Sequence, residues 1–116
     1  MHEISGTTIV LKQGDTCRIK LNLVRRTERE SSLFIPEEGS SIRLVAKRRL
    51  GDKPIDLESR VDLETMTLEI TSEQTKDLPL KGREMFLRYD LELTKPNGDI
   101  ATLVSNAELI IVPEVD

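Results

Sequence analysis

The chain has 116 residues, 37% of them hydrophobic and 33% charged, with a net charge of −4 and an isoelectric point near 5.1. That length suits one domain around a single core, and the balance of apolar to charged residues argues against both a disordered chain and a membrane protein. The acidic surplus argues against nucleic acid as a partner, and three aromatic residues (Phe34, Phe86, Tyr89) are too few for a stacking platform.

No apolar run approaches the roughly 20 residues that span a bilayer, so no membrane partner is expected. The opening six residues lack the basic segment and apolar stretch of a secretory leader and read as an extended or flexible N-terminal arm. Cys17 is the only cysteine, which excludes an internal disulfide and any zinc site built on several thiolates.

Residues 7–12 read as a first strand, and Gln13-Gly14-Asp15 as a turn. Residues 16–25 alternate, placing Cys17, Ile19, Leu21 and Leu23 on one face, so Cys17 reads as a small buried hydrophobe rather than a reactive thiol. The two runs either pair with each other or belong to different sheets, with the change at Gly14. Residues 25–41 are charged and aperiodic, a surface loop pinned by Leu33, Phe34 and Ile35. Residues 40–49 form a third strand, with Ile42, Leu44 and Ala46 inward and Arg43, Val45 and Lys47 outward. Gly51-Asp52 turns the chain into two short extended pieces, 54–57 and 60–63.

Residues 65–70 alternate again, with Met66, Leu68 and Ile70 on one face. Thr71 with Gln74 has the spacing of a capping box, Glu73 suits the positive end of a first turn, and Pro79 ends whatever forms. One short helical turn near 72–78 is expected. Beyond it, Met85, Leu87, Tyr89, Leu91 and Leu93 share one side of a strand, while Phe86, Arg88, Asp90, Glu92 and Thr94 share the other. Asn97-Gly98 then marks a hairpin whose return strands are 100–105 and 107–115. The whole predicts a single all-β sandwich over residues 1–116 with seven or eight strands. Its inward set is Ile9, Leu11, Ile19, Leu21, Leu23, Ile42, Leu44, Leu68, Ile70, Leu87, Tyr89, Leu91, Leu109 and Ile111.

Four features invite a chemical reading, and each has a plainer one. His2 is the only histidine and lies at a terminus, without the orienting partner that catalysis requires. The segment 95–99 looks like an acidic calcium loop but lacks its ladder of oxygen ligands, and turn chemistry accounts for it. Asp56, Glu58, Asp62 and Glu64 read as a solvated face before a cation site. Lys47, Arg48 and Arg49, with Arg43, Arg25 and Arg26, form a basic patch or, more simply, an edge strand guarded by charge, offset by nearby glutamates. No catalytic, cofactor-binding or metal residue is assigned, and no enzymatic activity or small-molecule substrate is expected.

Several segments together carry a resemblance: Gln13-Gly14-Asp15-Thr16 before an alternating strand, residues 54–57, residues 68–75 with Leu78-Pro79, residues 89–94, Asn97-Gly98 and residues 112–115. Over about 13–115 the chain resembles the small immunoglobulin-like virion proteins of tailed bacteriophages and prophages, including the N-terminal domain of upper baseplate proteins. It departs from them at 34–39, where such proteins carry a second Ile-Asp-Leu-Thr-Gly segment, so no partner surface is carried over to this loop. The resemblance implies an immunoglobulin-like antiparallel sandwich. It also implies a non-enzymatic structural or adaptor part of a virion (tail, baseplate, fibre or neck), assembled in the bacterial host cytoplasm. Its implied partners are other virion proteins, in several symmetric copies. The competing expectation is a carbohydrate- or cell-surface-binding module.

Overall fold

Where apolar residues recur at every second position, the chain forms strands. A computed structural model describes residues 8–22, 24–26, 31–33, 35–48 and 55–114. Within them lie β1 (Ile9–Lys12), β2 (Cys17–Lys20), β3 (Val24–Arg26), β4 (Ser31–Leu33), β5 (Ser41–Arg48), β6 (Ile55–Asp62), β7 (Thr67–Ile70), the helical turn α1 (Ser72–Thr75), β8 (Met85–Thr94) and β9 (Ile100–Val112). The N-terminal arm, His2, Leu23, Phe34, Arg49, the turn at Gly51-Asp52 and Pro54 lie outside the described residues, as do the side chains of Arg25, Arg26 and Leu33.

The fold is all-β. Seven strands hydrogen-bond in the order β1-β9-β8-β5-β6-β7-β2, and β3 pairs separately with β4. β6 joins two layers: its residues from Ile55 to Arg60 pair with β5, and Val61 and Asp62 pair with β7. The sheet therefore folds over along β6, setting β7 and β2 apart from the five strands that precede them. Of the two arrangements open for the first strands, the change of sheet at Gly14 is the one found, since β1 pairs β9 and β2 pairs β7. Gly14 makes that change with φ +84, a conformation that other residues adopt only under strain.

Two expectations need correction. The sandwich is not wholly antiparallel, because β1 runs parallel to β9, with Ile9 opposite Leu109 and Leu11 opposite Ile111. Nor is the stretch 25–41 only a loop, since β3 and β4 form a short ladder within it. Backbone pairing needs no hydrophobic period when the partners are close in sequence and loop closure is cheap, so periodicity gave no sign of it.

All of the expected inward residues on β1, β5, β7, β8 and β9 are buried. Cross-strand rows carry the core: Val104, Leu91, Leu44 and Ser59 lie side by side on four strands, as do Ala107, Tyr89, Ala46 and Leu57. Ile19 and Leu21 are only half-buried, consistent with the terminal place of β2 in the strand order. β6 is one strand where the sequence suggested two pieces. Its inward residues are Leu57, Ser59 and Val61, and the serine at the centre breaks the apolar alternation that would have revealed it.

The β8–β9 hairpin closes differently from a two-residue Asn97-Gly98 turn. Such a turn would make Pro96 supply an N–H to the first cross-strand bond, which proline lacks. Instead Gly98 N–H donates to Lys95 O at 2.9 Å, and Lys95 N–H donates to Asp99 O at 2.8 Å. Pro96 thus takes the first central position of the turn, and Gly98 the left-handed position after it with φ +94. Further along, β9 holds two extra residues relative to β8 between Ala107 and Thr102. Asn106 takes φ +54 there, and its N–H donates to Asp90 Oδ1 at 2.8 Å. The bulge lets the adjacent Leu103 and Val104 both be buried.

The helical turn forms as its capping box predicts. Gln74 Oε1 accepts the Thr71 N–H at 2.8 Å, while Gln74 Nε2 donates to Glu58 O at 2.7 Å and to Ser59 Oγ at 3.1 Å. On the other side Gln13 Nε2 donates to Leu78 O at 2.8 Å and to Thr75 O at 3.1 Å, and the Gly14 N–H donates to Thr75 Oγ1 at 2.9 Å. Two glutamines therefore tie α1 to β6 and to the β1–β2 turn, and the fully buried Thr75 and the buried Ser59 both have partners.

Candidate functional site

The residues with chemical potential are dispersed. Cys17 is half-buried on β2 opposite Ile70, and burial pushes its thiol pKa up, which suppresses the nucleophilic thiolate. Asp56 and Glu58 point outward from β6, and Asp62 Oδ1 accepts the Glu64 N–H at 3.0 Å, as a turn-forming aspartate does. Asn97 and Asp99 spend their polar groups on each other: the Asp99 N–H donates to Asn97 Oδ1 at 2.9 Å. Among the described residues, no three His, Cys, Asp or Glu side chains come together as a metal site. No helix among them is long and apolar enough to cross a membrane.

The basic run does not lie on the guarded edge strand that the sequence suggested. β5 is no edge strand, because it lies between β8 and β6 with Val45 opposite Asp90 on one side and Glu58 on the other. Arg43 forms a bridge across three strands, with Nη2 3.0 Å from Glu92 Oε2 and Nη1 3.3 Å from Glu58 Oε1. Its hydrogen bond and ion pair with Glu92, then the charge of Glu58, raise the guanidinium pKa further, and the two carboxylates offset its charge. Carboxylates on neighbouring strands, distant in sequence, therefore remove Arg43 from any open basic patch.

What the geometry does present is strand edges and exposed apolar side chains. β1 and β2 end the strand order, so each has one edge without a strand partner among the described residues. Beside the β1 edge, Val10, Ile110 and Phe86 stand in one row across three strands, with Ile110 opposite both of the others. Val10 is 59% exposed and Phe86 52%, although outward strand positions are more often polar. Alternation alone placed Phe86 outward, but the row stayed hidden because nothing local specifies a parallel partner for β1. Elsewhere, the 35–39 segment, the end of β2 and the 63–66 turn enclose a groove that the sequence did not indicate.

No protein-family model matches this chain, and no curated protein matches it in sequence.

Proposed function

We propose that this chain is a non-catalytic docking module, a structural or adaptor component of a tailed-phage virion that works by binding other particle proteins. The observation that carries docking is the row of exposed Val10 and Phe86 flanking half-buried Ile110, next to the edge of β1. An incoming strand can pair with the edge of β1 that has no strand partner among the described residues, while another part of the partner covers the row, so backbone bonding and apolar burial act together. The virion setting comes from the sequence resemblance, which spans most of the chain. Symmetric particles repeat such contacts, and a contact that is weak between free proteins becomes tight through avidity.

Particles induced from a host that carries the gene, purified and examined by mass spectrometry and immunogold labelling, test the virion setting. The chain should copurify at fixed stoichiometry, and its gene should sit among head or tail genes. Its absence from particles, with a metabolic operon around the gene, would overturn the reading. Val10→Lys with Phe86→Glu places charge on the exposed row and should remove the chain from particles while its thermal melt stays unchanged.

A further inference from the structure

Where β2 ends, a groove of about 540 Å³ opens between segments remote in sequence. Leu21, Ile35, Leu63 and Met66 supply its apolar lining, and Ile35 is 78% exposed, the most exposed of the large apolar residues described. Among the described residues, Glu37, Glu38 and Glu64 line it together with one basic residue, Lys20. None of these three carboxylates is in an ion pair among the described residues, and all three residues are exposed. Met66 faces this space from a backbone with φ +52, a conformation that suits glycine or asparagine and that methionine holds only under strain.

We infer that this groove receives an extended segment of a partner protein in which apolar side chains alternate with lysine or arginine. Apolar lining selects for buried hydrophobic side chains, since only they gain by leaving water there. Three carboxylates against one ammonium select a basic partner and repel nucleic acid and anionic lipid. Among the described residues no aromatic side chain lines the groove, and none of them supplies the stacking surface that would favour a sugar ring. A peptide with period two meets both demands at once, presenting one kind of side chain to the lining and the other to the rim. The inference shares with the proposed function only the need for a protein partner, and it uses a surface separate from the Val10 row.

A library of random short peptides displayed on a carrier is the probe. It is selected on the wild-type protein and counter-selected on Glu37→Lys/Glu38→Lys/Glu64→Lys, a variant whose changes lie at exposed positions and whose melt is checked first. Enriched peptides should alternate apolar residues with Lys or Arg. Synthesised singly and followed by fluorescence anisotropy, they should bind the triple variant about tenfold more weakly or worse, and bind the wild type more weakly at high salt. Ile35→Ser should weaken them too, without changing the salt dependence. Failure to enrich any peptide over the counter-selection, enrichment of acidic peptides, or equal binding to the triple variant would overturn the inference. Those outcomes leave the virion reading untouched, and absence of the chain from particles would leave this one untouched.

Discussion

The junction around α1 and the groove at the end of β2 are both built from turns, yet they treat their atoms in opposite ways. At α1, Gln13 and Gln74 each reach across to another segment, and the buried Thr75 and Ser59 are hydrogen-bonded. At the groove, Ile35 is largely exposed, three carboxylates without an ion-pair partner among the described residues line the walls, and Met66 occupies a left-handed backbone conformation. The first region joins the two layers with nothing left over. The second retains strain and exposed apolar area that a fold selected for stability alone would shed. Satisfied polar groups and a strained backbone are thus found at different turns of the same molecule.

The largest effect expected is in the core that both regions flank. Leu44→Ala removes a fully buried side chain that lies between Leu91 and Ser59, and should lower unfolding free energy by about 2–5 kcal/mol. A loss below about half a kcal/mol in urea titration would mean that the row is not packed as described, because surface changes fall in that range. Next comes the junction. Gln13→Ala strips donors from the carbonyls of Thr75 and Leu78 and should cost about 1–3 kcal/mol, whereas Glu37→Ala at the groove rim should be nearly neutral. Equal effects of the two substitutions would erase the contrast between the regions.

Much of the fold is legible in the sequence, and what is not has physical causes. Alternation gave the buried face of β8 from Met85 to Leu93 and that of β5 from Ile42 to Ala46, because one face in oil and one in water imposes a period of two. The Thr71–Gln74 spacing announced α1, since a capping box is a local arrangement. β6 looks like two fragments in the sequence because Ser59 occupies a core position, and its compensation, Gln74, comes from another element. The partners of Arg43 escaped notice for the same reason: Glu58 and Glu92 reach it only through strand register. The groove joins three segments and has no local sign at all. Nonlocal pairing is what one sequence hides.

A smaller effect tests a turn that belongs to neither region. Gly98→Val puts a β-branched residue at φ +94, where no heavy atom lies within 4 Å of an added Cβ, so the penalty is purely backbone conformational. The hairpin should lose more than about 1 kcal/mol, read as a shift in the denaturant midpoint. An unchanged midpoint would show that Gly98 does not hold the left-handed position of the Lys95-to-Gly98 turn.

The smallest effect decides whether strain is stored at the groove. Met66 ends the 63–66 turn between the paired residues Asp62 and Thr67, and its carbonyl accepts the Leu21 N–H at 2.7 Å, which fixes the backbone that carries the methionine. Met66→Ala and Met66→Gly both remove the half-buried side chain, so their losses of packing are nearly equal. They differ in that alanine keeps the steric penalty at φ +52 while glycine does not. Glycine gives part of that advantage back through its freer unfolded chain, and the remainder should leave Met66→Gly about 1 kcal/mol more stable than Met66→Ala. Urea midpoints of the two variants measure this directly. If alanine equals or exceeds glycine, the backbone at 66 is unstrained and the contrast with α1 rests on exposure and charge alone. If glycine wins, the strain at position 66 is real, and it is offset by what the methionine side chain packs against.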